Sequence, residues 1–303
     1  MFSKNKALIF CAAAALAAHL FMGLAFIRSA APTYDETVHL AGGYSVLATG
    51  RYGLVPTGHT PLAGMAEALP LLLYKPGIFI NHPYFTGRSI YHYGDLFLYQ
   101  NSVAPEKLLN TARIFSLFLW SGLLAFFIRL FAAKLAGPEA SLSAIAVFSF
   151  MPVFISNNAL VTTDAASSVF YLGAFCFGYM FSSLPATPSG GGKTVQARGG
   201  GRRGLYAVLA GLLTGLAMVS KFSMFLVPPL IVAFWTAHNL LEPKMRPVRL
   251  LMYIAIYLAA VFFTAALVYK FDPGPYFSGL SDMFKMLDRG RSSFVWGQHN
   301  ISG

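Results

Sequence analysis

The sequence predicts an all-α, polytopic transmembrane helical bundle of about seven spans with a large polar loop after the first. Three observations predict it. Apolar residues make up 56% of the 303 residues and charged residues only 11%, against roughly 25% charged in soluble domains. The apolar residues recur in runs of about 20, the length that crosses a hydrocarbon core. Lys and Arg gather beside alternate loops, as the positive-inside rule requires.

The first span is 7–27, preceded by Lys4 and Lys6, which place its start in the cytoplasm. Its apolar run of 21 residues exceeds the h-region of a cleaved signal peptide, so it reads as an uncleaved anchor. Residues 28–108 form the first outer loop, rich in Pro, Gly, Tyr, His and carboxylates. Within it, 61–74 is apolar but only 14 residues long, which suits a short interfacial or re-entrant helix. Further spans are expected near 110–132, 139–156, 165–183, 205–219, 222–239 and 250–270. Residues 184–204, rich in Gly and basic residues, read as a flexible cytoplasmic linker. Residues 271–303 read as the start of a further outer loop, cut short, as in the front part of a longer protein.

Charge supports this alternation. The loops assigned to the cytoplasm carry Arg129, Lys134, Lys193, Arg198, Arg202, Arg203, Lys244, Arg246 and Arg249, opposed there only by Glu139 and Glu242. The net charge of +11 is therefore a topological signal. It is not a nucleic-acid surface, which needs a basic face on a soluble domain. The string GGGKT is not a phosphate loop: Thr187 stands where the first glycine belongs, and a span precedes it instead of a strand. Cys11 and Cys176 lie in apolar runs and read as small buried residues.

The outer loop carries the chemistry. Asp35 and Glu36 are adjacent carboxylates just beyond the first span, able to serve as a general base and a second anchor, or to hold a divalent cation through oxygen. They also suit the acidic first turn of a helix. His39, four residues after Asp35, would share its helical face. His59 precedes the short apolar helix. Asp164 lies at the outer end of the fourth span, where an ionisable group is a functional candidate and also a helix cap. Arg113 and Lys221 are cations at span ends, placed either to snorkel or to hold a phosphate. In one topology all of these fall on the outer side.

The motifs YDE-x-x-H-L-x-x-G-Y at 34–44, HTPL at 59–62, AR at 112–113, VTTDA at 161–165, GLAMVSKFS at 215–223 and VWGQHNISG at 295–303 follow one another in this order. The order resembles that of the membrane glycosyltransferases of the protein O-mannosyltransferase and lipid A aminoarabinose transferase type, the family 39 kind, which share the GT-C fold. The resemblance spans nearly the whole chain. It departs at Thr60, where the family has proline, and at Gln298, where it has glutamate. It implies a sugar moved from a polyprenyl-phosphate donor to a protein, lipid or glycan acceptor on the extracytoplasmic face of a bacterial inner membrane. By the same resemblance, Asp35 would be the catalytic carboxylate and Glu36 its positioning partner. Arg113 and Lys221 would grip the lipid phosphate, His59 and His299 would line the site, and Asp164 would share a divalent metal with Asp35.

A transporter is the competing expectation, but it would place ionisable residues at mid-membrane and often show an internal repeat. A non-catalytic, shortened homologue is the other. The sequence sets neither the sugar, the acceptor nor an oligomeric state.

Overall fold

The computed structural model describes residues 4–56, 58–185, 193–288, 291–295 and 298–302. It is a helical bundle. Helix α1 (Lys4–Ser29) runs into a layer of short helices, α2 (Tyr34–Thr49), α3 (Leu62–Ala68), α4 (Pro83–Thr86) and α5 (Ile90–Tyr99). The long helix α6 (Pro105–Phe150) follows, then α7 (Pro152–Asn157), α8 (Thr163–Ser182), α9 (Lys193–Met218), α10 (Val227–Leu241), α11 (Pro247–Val268) and α12 (Gly274–Asp288). The expected all-helical chain gains one exception: β1 (Arg291–Val295) and β2 (Gln298–Ser302) pair as an antiparallel hairpin.

Five helical stretches are long and apolar enough to cross a membrane: Leu8–Ser29, Pro105–Phe150, Thr163–Ser182, Phe222–Leu241 and Pro247–Val268. The difference from seven has two causes. At 46 residues, α6 would measure roughly 69 Å if straight, over twice a hydrocarbon core. It breaks at Gly137 (φ 90°, ψ 176°), a backbone conformation that glycine adopts without steric cost, and Pro138 follows. The expected spans 110–132 and 139–156 fall on its two arms, and the second arm stops at Phe150, before Pro152 opens α7. The expected span 205–219 is the apolar end of α9, whose first half is polar. That apolar end is too short by itself to cross a hydrocarbon core.

The region read as a linker, 184–204, is partly structured. Helix α9 starts at Lys193, and the buried Arg203 donates 2.9 Å hydrogen bonds to the carbonyls of Leu184 and Pro185. Residues 186–192 lie outside the described residues.

The helices pack through apolar faces and small residues. Helix α9 lies between α8 and α11. A Cβ at Gly211 would stand 2.5 Å from the Tyr257 carbonyl oxygen, and one at Gly215 would stand 2.6 Å from Thr264 Cβ. This glycine pair at i and i+4 lets the α9 and α11 backbones touch. Phe181, Trp235 and Tyr257 fill the remaining space. Outward-facing side chains such as Phe126, Leu251 and Phe262 stay exposed, as lipid-facing positions require.

The loop 28–108 has its own core, in which Leu40, Tyr44, Phe97 and Leu108 are buried. Helices α2 and α3 cross at Gly43 and Gly64, where a Cβ on either glycine would strike the other helix's backbone. This crossing carries HTPL against α2 and fixes the site's geometry.

Candidate functional site at one end of the bundle

The site is assembled by chain ends that meet at one end of the bundle: the end of α1, the starts of α2, α6 and α8, and the end of α9. One buried ion pair joins most of them. Glu36, in the first turn of α2, accepts hydrogen bonds from Thr33 N at 2.9 Å and Thr33 Oγ1 at 3.0 Å. Arg113 on α6 donates from Nε to Glu36 Oε1 at 2.7 Å and from Nη2 to Oε2. Its remaining bonds go to the carbonyls of Ala30 and Ala31, both at 2.9 Å, just beyond α1. The Val161 amide, ahead of α8, reaches Glu36 Oε1 at 3.1 Å. The two side chains are 0% and 1% exposed.

This geometry corrects two expectations. The Glu36 carboxylate is saturated by donors and fully buried, so it is no second anchor for a substrate. Arg113 has spent four of its five N–H donors on protein oxygens, which leaves it a structural bolt and not a phosphate grip. A bidentate guanidinium–carboxylate pair in a water-free setting is strong and geometrically specific.

Asp35 is different. It lies one residue before Glu36, is exposed, and forms no hydrogen bond or ion pair with another described residue. The Glu36 lock therefore fixes the backbone under a free carboxylate. Beside it, Tyr34 stacks on Tyr91 at 4.8 Å.

Asp164 sits in the first turn of α8, and Lys221 is an extended residue three positions beyond the end of α9. Their side chains form an ion pair and are 52% and 37% exposed. The proximity follows from a backbone bond: Leu62 N, in the last residue of HTPL, donates to Val219 O at 3.0 Å, tying the start of α3 to the end of α9.

His59 meets His39 edge-on, with ring centroids 4.8 Å apart. His39 is buried. Burial chiefly, then the charges of His59 and Lys221, holds its pKa down to about 3 against the opposing pull of Asp164. His39 is thus neutral at physiological pH. His59 and Pro61 also line a cavity of about 570 Å³ with Tyr52, Arg88, Asp272 and Asp282, a size suited to a small organic ligand. Asp35, Asp164 and Lys221 do not border that cavity. His299 lies on β2 opposite Phe294, and its side chain is outside the described residues.

A metal shared by Asp35 and Asp164 does not fit these residues. Among the described residues no three His, Cys, Asp or Glu side chains gather as ligands, and Lys221 occupies the Asp164 carboxylate.

One buried acid escaped the sequence reading. Glu67 on α3 is 0% exposed. Its Oε1 accepts from Trp120 Nε1 at 2.9 Å and from Ser116 Oγ at 3.4 Å, while Oε2 has no partner. Burial outweighs these bonds and drives its pKa well up, which favours the protonated carboxyl. A lone acid inside the short apolar segment 61–74 was the available signal. In comparisons with protein-family models, curated proteins and solved structures, the chain finds no match.

Proposed function

We propose that the chain is a membrane glycosyltransferase that takes a sugar from a polyprenyl-phosphate donor and passes it to an acceptor hydroxyl on the extracytoplasmic face. In this reading each arm of α6 counts as a crossing and α9 crosses as a whole helix, its apolar end extended by the residues before it, which gives seven. The membrane would be a bacterial inner membrane, with the site facing the periplasm. The acceptor class, whether protein, lipid or glycan, is left open.

One observation carries the reading. An unpaired, exposed carboxylate, Asp35, stands on a backbone fixed by the buried Glu36–Arg113 pair, at the bundle end that also holds the Asp164–Lys221 pair. Asp35 is the general base: it takes the proton of the acceptor hydroxyl as that oxygen bonds to the anomeric carbon. The bond from the anomeric carbon to the phosphate oxygen breaks, and the phosphate leaves with its electron pair. Phosphate leaves readily, so it needs charge stabilisation more than protonation. Lys221 supplies a positive charge, with Asp164 holding its ammonium in place until the donor arrives. Neutral His39, met edge-on by His59, shapes the wall without adding a competing charge.

The test is Asp35→Asn in the full-length protein, assayed for transfer from a polyprenyl-phosphate sugar. Loss of transfer with normal membrane insertion is expected. Unchanged transfer would remove Asp35 from the chemistry.

A further inference from the structure

The cations first suited to phosphate, Arg113 and Lys221, are both engaged by carboxylates. A different pair is free. A second cavity, of about 470 Å³, is lined by Ser45, Arg51, Tyr52, Gly53, Leu54, Phe85, Thr86 and Arg88. Neither guanidinium forms a hydrogen bond or ion pair with another described residue, and no acidic side chain among the described residues lines the cavity. Two uncompensated guanidinium groups around one concavity make a field that attracts anions.

A third observation points into the same space. Ser45 is 1% exposed, borders the cavity, and its Oγ has no hydrogen-bond partner. A buried hydroxyl without a partner costs free energy, and a helical serine ordinarily bonds its own i−4 carbonyl. Its free hydroxyl is a donor awaiting an acceptor.

The surrounding backbone is built around these cations. The Lys270 ammonium sits where a side chain at Gly50 would be, next to Arg51. A Cβ at Gly53 would lie 3.1 Å from Arg88 Nε, so the glycine lets Arg88 pack closely against the backbone that lines the cavity. Tyr52 is pinned from the far side, donating to Val268 O at 2.6 Å. Tyr52, Gly53 and Arg88 also border the 570 Å³ cavity, so the two spaces adjoin along these residues.

We propose that this cavity is a phosphate-ester subsite, with Arg51 and Arg88 on the phosphate oxygens and Ser45 Oγ donating a further bond. Arginine's planar fork matches the geometry of phosphate. The space exceeds what a bare phosphate fills, which assigns the remainder to the esterified group. That group extends past Tyr52 towards Asp272, Asp282 and His59, carboxylates and an imidazole that suit hydroxyls. The subsite is separate from the Asp164–Lys221 pair and is read by binding alone. Its failure and that of the transferase reading are therefore distinguishable.

The experiment is calorimetric titration of the full-length protein in detergent with farnesyl phosphate, glycerol 3-phosphate and inorganic phosphate. Saturable binding of at least one ester, tighter than inorganic phosphate, is expected. Farnesyl phosphate winning marks a lipid-borne source, and glycerol 3-phosphate winning marks a water-borne one. The paired variant Arg51→Gln, Arg88→Gln should weaken binding about a hundredfold, and Ser45→Ala about tenfold. Lys107→Gln, which removes a charge packed over Tyr74, should leave it unchanged. The paired substitution is at exposed positions, and an unchanged melting temperature establishes its fold. Wild-type protein that binds none of the three probes, or a folded paired variant that binds as tightly as wild type, would overturn the subsite.

Discussion

Two ion pairs at the same end of the bundle use similar chemistry and take opposite roles. Glu36–Arg113 is sealed between helix ends, with exposures of 0% and 1%. Asp164–Lys221 lies at the rim, with exposures of 52% and 37%. In the sealed pair every carboxylate lone pair has a donor, and the charges hold four chain segments in register. In the rim pair water reaches both groups, so the pair can open for a ligand. Burial, and not residue type, separates a structural charge from a chemical one.

The largest expected effect comes from breaking the sealed pair. Arg113→Met leaves Glu36 charged, buried and without its cation, at a cost of about 3–5 kcal/mol. Thermal unfolding in detergent measures it. A loss under about 1 kcal/mol would mean that water reaches the joint. The next effect tests the other buried acid. Glu67→Ala should cost about 1–3 kcal/mol by stranding Trp120 Nε1 and Ser116 Oγ. Glu67→Gln keeps an acceptor for both and should be nearly neutral. Equal losses in the two variants would contradict a neutral carboxyl at this position.

A pH series sharpens the contrast. His39 binds its proton less readily in the folded protein, at about 3, than the ordinary value near 6.5 in the unfolded chain. Between these values the unfolded state holds more protons, so stability falls as pH drops below 6.5, by up to about 1.4 kcal/mol per pH unit. Glu67 has the opposite sign: its raised pKa contributes stability that is lost as pH rises through the folded value. Comparing wild type with His39→Asn between pH 7 and 5 isolates the histidine, and an identical slope in both would exclude it. The smallest stability effect belongs to the rim. Lys221→Met should change stability by less than about 1 kcal/mol while reducing sugar transfer. A variant that unfolds instead would make the pair structural.

Much of this end of the molecule was legible from residues. Asp35, His59, Asp164 and Lys221 stood out as ionisable groups bordering apolar runs; in the structure Asp164 pairs with Lys221 and His59 meets His39. What each group does was not legible. Asp35 and Glu36 are neighbours in sequence, yet the helical turn sends Glu36 inward to Arg113 and leaves Asp35 in solvent. Glu67 was hidden because its partners, Ser116 and Trp120, lie about 50 positions away on α6. Arg51 and Arg88 carried no signal in the sequence; the fold sets both beside Ser45 along one cavity.

The sequence alone determined that this chain is a helical bundle with several stretches long and apolar enough to cross a membrane, because runs of apolar side chains are local properties that a bilayer reads directly. Only the tertiary structure decided which charges are spent on one another and which are free. That outcome depends on distances between groups dozens of residues apart, and on the water that packing excludes.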